Sequence, residues 1–240
     1  PVVSLAGPLF SFSLIALGML IVVWRMLPEE SVPRETRRLA GAALWKDKRL
    51  APFLIYGFLV ATCQTAQGYT LGFMIIDKLK VSPVEALGFI AVSMAAGAMA
   101  GLLAQWGLIR IFNMGPKTLL RWGVALACVG NLITAFAPDY WTVVAGYAVA
   151  CLGYGFARPG FTAGASLSVK MHEQAQAAAA IAAVNGLNVI IAPAFVMLYQ
   201  LFHPAPFLLN AVILAGLMAY ALKNVILREA GERGDPDAES

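Results

Sequence analysis

Seven apolar stretches, each long enough to cross a lipid bilayer, fill most of the chain, and no water-soluble fold hides so many. They run over 3–27, 50–76, 84–112, 118–137, 142–168, 177–202 and 206–226. A hydrocarbon core about 30 Å thick needs roughly 20 helical residues at about 1.5 Å rise each, which makes every stretch a candidate span. Helices are expected, because an open strand would leave backbone groups unsatisfied in hydrocarbon and no stretch alternates as a barrel strand does. Composition agrees: 60% hydrophobic, 12% charged and a mean hydropathy of +0.76 leave too little polar surface to coat 240 residues in water. The first stretch has no basic leader, initiating Met or small-residue cleavage site, so it reads as a span rather than a signal peptide. Cys63, Cys128 and Cys151 all fall inside spans, where a thiol packs as a small apolar residue, so no disulfide or metal framework is implied.

The net charge of +4 is a matter of topology rather than nucleic-acid binding. Arg34, Arg37, Arg38, Lys46, Lys48 and Arg49 occupy 28–49; Arg110, Lys117 and Arg121 surround the turn near 113–121; Lys170 follows span five. Lys223, Arg228 and Arg233 lie near the C-terminus, whereas the opposite connections hold only Lys78 and Lys80. By the positive-inside rule the first span runs outside to inside and the C-terminus is cytoplasmic, with Trp24, Trp106, Trp122, Tyr140, Trp141 and Tyr199 anchoring span ends.

Four regions follow: a single span at 1–27, a cytoplasmic linker at 28–49 that permits a short surface helix, a six-helix bundle at 50–227, and a disordered tail at 228–240. Connections within the bundle are short. Its spans start at 50, 84 and 118, then again at 142, 177 and 206. The offset of about 90 residues suggests two triplets, which three intervening spans would place in opposite orientation as an inverted repeat. Gly97-Ala-Met-Ala-Gly101 and Gly160-Phe-Thr-Ala-Gly164 present small faces on which helices pack closely, a pattern that generic packing also produces.

The chemistry concentrates at Arg158-Pro159 in span five. An arginine near a span centre costs roughly 2.5–3.5 kcal/mol on insertion scales, so it faces protein or water. Lining a solute cavity is the functional reading and snorkelling to the interface the plain one. Pro159 frees a carbonyl one turn earlier, and with Gly155, Gly160 and Pro193 it makes a set of candidate helix-bending positions. Gln64 and Gln67 in span two, and Asn185 and Asn188 in span six, share faces at i,i+3 spacing, placed either to bind a solute or to join helices. No Asp or Glu stands mid-span, and neither His172 nor His203 does, so no coupling residue is visible in these spans. No metal spacing, phosphate loop or nucleophile elbow suggests an enzyme, and no cofactor is implied.

Two ordered series carry a family resemblance. One is Gly153-Tyr-Gly-Phe-Ala-Arg-Pro159, a small-residue run to Ser168, His172-Glu-Gln174, and Asn185-Gly186 through Ala192-Pro193. The other is Gly101 through Gln105, Arg110 and Gly115-Pro-Lys117. The first resembles the tenth and eleventh helices, and the second the loop motif between helices eight and nine, of the major facilitator superfamily. The resemblance is to its tetracycline and multidrug efflux branch of twelve-helix proton antiporters and covers nearly the whole chain. It implies an all-α membrane fold of seven transmembrane helices, equivalent to helix six, the central loop and helices seven to twelve, with five further spans upstream as partners. Ala192-Pro193 stands where Gly-Pro is common, and Arg158 is an added charge that also suits an anionic metabolite.

The expected function is therefore secondary transport of a small solute across the lipid bilayer by alternating access, with a proton gradient as energy source and efflux from a bacterial inner membrane. Arg158, Gln64, Gln67, Asn185 and Asn188 are the expected cavity residues. Three rivals remain open: a seven-helix receptor or photoreceptor, for which Lys223 is poorly placed as a retinal link, an uptake carrier of the same superfamily for an anionic metabolite, and a structural or interaction subunit without transport of its own.

Overall fold

The computed structural model describes residues 6–26 and 49–232. Seven long helices account for nearly all of them: α1 (Ala6–Met26), α2 (Ala51–Leu79), α3 (Pro83–Ile111), α4 (Pro116–Ala135), α5 (Tyr140–Leu167), α6 (Gln174–Leu201) and α7 (Ala205–Glu232). No strand occurs among the described residues. The linker up to residue 48 and the tail from 233 lie outside them, and α7 continues six residues past the span end expected at 226. Four helices, α3 to α6, are long and apolar enough to cross a membrane, and Phe10–Met26 and Ala205–Tyr220 are shorter apolar stretches. In α2 the apolar run is interrupted by Gln64, Thr65, Gln67 and Thr70.

The contacts divide the chain into 1–39 and 40–240. The first unit contributes α1, whose apolar side chains from Phe10 to Met26 are exposed, as befits a helix in a solvent as apolar as itself.

In the second unit the chain punctuates its helices with local chemistry. Ser82 caps α3 reciprocally with Glu85, and Pro83 takes the first turn, where a missing N–H costs nothing. Asn113 adopts φ 46°, a left-handed conformation that asparagine tolerates, ahead of Gly115 and Pro116 at the start of α4. Asp139 caps α5 by accepting the Thr142 N–H at 2.9 Å. Its carboxyl is held below the usual aspartate value of 3.8, chiefly by that backbone bond. Within α3 the residues Leu103–Leu108 widen into a π-helical turn.

Helix α5 is the centre of the bundle and touches α2, α3, α4 and α6. Its closest partner is α4, because both present small residues every three or four positions along one stripe. Gly146, Ala150, Gly153 and Ala157 of α5 meet Gly123, Ala127, Gly130 and Thr134 of α4. A Cβ on Gly123 would stand 2.6 Å from the Ala157 amide nitrogen, and one on Gly146 2.6 Å from Thr134 Oγ1, so only hydrogen fits there. The two small motifs expected from sequence are both in contact, with different neighbours. Gly97 meets Tyr147 and Cys151 of α5, Gly160 meets α4 at Leu119, and Gly164 lies under the Phe53 ring of α2.

Helix starts at Ala51, Pro83 and Pro116, then Tyr140, Gln174 and Ala205, repeat at offsets of 89, 91 and 89 residues. Packing follows the same exchange: α3 packs on α5 as its counterpart α6 packs on α2, and the related pairs α2–α5 and α4–α7 touch each other. The spacing read from sequence is kept in the helix starts and these pairings exchange with it, although α4 has 20 residues where its counterpart α7 has 28, and α4 packs on α5 far more closely than α7 does on α2.

Candidate functional site

A cavity of about 450 Å³ opens where α2, α3 and α5 converge. Its wall is built on a stripe of α5 next to the one that packs on α4: Tyr147, Cys151, Tyr154, Gly155 and Arg158. The opposite wall is α3, with Met94, Gly97, Ala98, Gly101, Leu102 and, from the π-helical turn, Gln105. Gln64 of α2 completes it. Gln64 lies within a residue or two of the middle of its helix and Tyr154 likewise, while Arg158 stands about 7 Å beyond the midpoint of α5 at 1.5 Å per residue. The cavity is thus at mid-bundle depth.

The close approach of α3 to α5 forms its floor. A Cβ on Gly155 would stand 2.8 Å from the Ala104 Cβ and 3.1 Å from the Gly101 carbonyl oxygen. Pro159 lies inside continuous α5, so its ring removes the hydrogen bond to the carbonyl of that same Gly155 while the helix persists. Electrostatically the cavity has a single sign. Arg158 is its one cation, no acidic side chain lines it, and Arg158 forms no ion pair among the described residues. The Arg158 side chain is exposed rather than packed among protein atoms.

Of the five residues expected to share a cavity, the structure brings two together, Arg158 and Gln64. Asn188 is 5% exposed and donates Nδ2–H to Thr65 Oγ1 at 2.9 Å, joining α6 to α2. Asn185 is half-buried on the same helix with Oδ1 unpartnered. Gln67 is 1% exposed, and neither its Nε2 nor its Oε1 has a partner among the described residues. Among the candidate bending positions, Gly155 and Gly160 lie at close contacts with α3 and α4, and Pro193 sits within continuous α6.

Two polar groups escaped the sequence reading. Asn131 Nδ2 donates to the Ala127 carbonyl at 2.8 Å and reaches Tyr154 Oη at 3.0 Å, while Asn210 Nδ2 donates to Asn131 Oδ1 and the Cys63 carbonyl, each at 3.1 Å. This fully buried chain ties α2, α4, α5 and α7 together beside the cavity wall. The second lies at the end of the bundle where α2 and α6 finish. Tyr199 Oη donates to Asp77 Oδ2 at 2.5 Å, and His203 Nε2 is 3.3 Å from the same oxygen. The signal for the first was two asparagines in apolar spans, neither with a second amide three residues away. For the second the residues stand far apart in sequence, Asp77 near the end of α2, Tyr199 near the end of α6 and His203 just beyond it, and only the fold brings them together.

Among the described residues no cluster of three or more His, Cys, Asp or Glu is placed to hold a metal. What the geometry defines is an all-helical membrane bundle of two triplets with matching helix spacing and a solute-sized cavity at mid-depth. The family model of the Major Facilitator Superfamily matches residues 2–193, and the chain belongs to that superfamily. It is an integral membrane protein and a secondary transporter. No curated protein matches the chain significantly.

Proposed function

We propose that the protein carries a small solute across the membrane by alternating access, with the solute held against Arg158 and Gln64. The observation that carries this reading is the cavity itself. It lies at mid-depth, at the meeting of the repeat-related helices α2 and α5, and holds one cation with no protein counter-charge. Ligand sites of transporters built from inverted repeats lie at that junction, and an unpaired intramembrane charge is costly unless it serves a ligand or water path. Tyr147 and Gln105 complete the proposed lining, whereas Asn188 joins α6 to α2, and Gln67 and Asn185 lie outside the lining with polar atoms unpartnered among the described residues. Pro159, Gly155, Gly160 and Pro193 would be the points at which α5 and α6 flex during the cycle.

The resemblance to the drug:proton antiporter branch supports efflux driven by a proton gradient, in a bacterial inner membrane, with the C-terminus cytoplasmic as the basic residues favour. The test is flux into liposomes holding the purified protein under an imposed pH gradient. Arg158→Ala is expected to lower kcat/KM at least thirtyfold or so, the scale of losing one charge-paired contact of about 2 kcal/mol, with membrane insertion unchanged. Unaltered transport kinetics would sink the assignment of this cavity.

A further inference from the structure

We infer that the cavity selects organic monoanions: solutes with one carboxylate or sulfonate and an apolar, ring-sized body. This rests on the cavity being the transport site and adds the class of solute it takes. Three observations carry it. The single guanidinium of Arg158 is unopposed, so an anion is the species that neutralises it, and a planar carboxylate does so through two parallel hydrogen bonds. A second negative charge would find no second cation in the lining. A cation would meet like charge with no carboxylate to offset it.

Away from Arg158 the lining turns apolar: Met94, Leu102 and the Tyr147 ring face a floor of glycines, with the amides Gln64 and Gln105 at hand as hydrogen-bond donors. That is the division of an amphipathic ligand site, one charged anchor beside an apolar slot. Sugars and other neutral polyols would leave the charge unpaired and set hydroxyls against the apolar wall.

The protein carries its own reporter. Cys151 lines the cavity seven residues before Arg158 on the same helix, about 10 Å away along the axis. Cys63 is fully buried, and Cys128 donates its S–H to the Ala211 carbonyl at 3.4 Å. The purified protein in detergent, open from both sides, is treated with methanethiosulfonates of matched size bearing a sulfonate or a trimethylammonium. Modification of Cys151 is followed by mass spectrometry of the peptide.

The sulfonate reagent is expected to modify Cys151 at least about fivefold faster, from the attraction of one charge at that distance. Arg158→Gln should bring the ratio near one, and Arg158→Lys should keep it. If Arg158→Gln fails to fold, protection of the unaltered protein decides: 2-naphthoate should slow the labelling more than 2-naphthylmethylamine does. Equal rates for the two reagents, or a preference for the cation, would overturn the monoanion inference while leaving an accessible cavity. Absence of modification by either would overturn the cavity reading beneath it.

Discussion

The repeat exchanges two helix pairings, α3 with α5 and α2 with α6, and the chain uses them in different ways. At α2–α6 two polar side chains meet and satisfy each other, Asn188 donating to Thr65 in a buried contact. At α3–α5 the backbones approach over Gly97, Gly101 and Gly155, and the polar residue, Arg158, is turned into open space. The first arrangement is a fastener, and the second a cradle with an unspent charge. Similar topology therefore does not imply similar use: Asn188, which finds a protein partner, holds helices together, and Arg158, which opens on the cavity without a counter-charge, is available to a ligand.

Beyond the loss of flux expected from Arg158→Ala, the largest effect should come from filling the cradle floor. Gly155→Val would drive a side chain into Ala104 and the Gly101 carbonyl, so a loss of about 1–3 kcal/mol is expected in detergent unfolding. The buried asparagine chain comes next. Asn131→Leu leaves the Asn210 amide short of an acceptor, and a loss of about 1 kcal/mol should appear in the same measurement. Asn188→Leu at the fastener should cost less, about 0.6 kcal/mol, and a double-mutant cycle with Thr65→Val should recover that value as coupling. An Asn188 whose loss abolished flux without altering stability would erase the contrast between the two pairings.

The smallest effect belongs to the cap of α5. Because Asp139 is held below its unfolded value, its contribution to stability is present above the ordinary aspartate pKa and fades as pH falls through the lowered one. Asp139→Ala should therefore lower the melting temperature slightly at neutral pH, and the difference from the unaltered protein should shrink toward pH 3.

The architecture was legible because long apolar runs can do little else. Six bundle spans and their spacing followed from hydropathy, and the observed starts shift by one or two residues where Pro83, Pro116 and the Asp139 cap set them. Arg158 and Gln64 were legible as polar side chains in apolar spans. Their company was not: Tyr147, Cys151 and Gln105 are ordinary span residues until α3 is known to lie on α5, and the π-helical turn at Gln105 has no sequence mark of its own. The i,i+3 amide pairs do not share one environment: Gln64 lines the cavity and Gln67 is buried away from it. Spacing along one helix carries no information about whether the facing atom is a ligand or a threonine on a neighbour, and for Asn188 it is Thr65.

The central claim is that α5 faces an open cavity on one side and a closed core on the other, and the native cysteines test it without any substitution. Cys151 lines the cavity and Cys63 is fully buried among the helices behind it. With a neutral maleimide on the purified protein, Cys151 is expected to react faster than Cys63 by an order of magnitude or more. Equal rates, or faster modification of Cys63, would contradict the account.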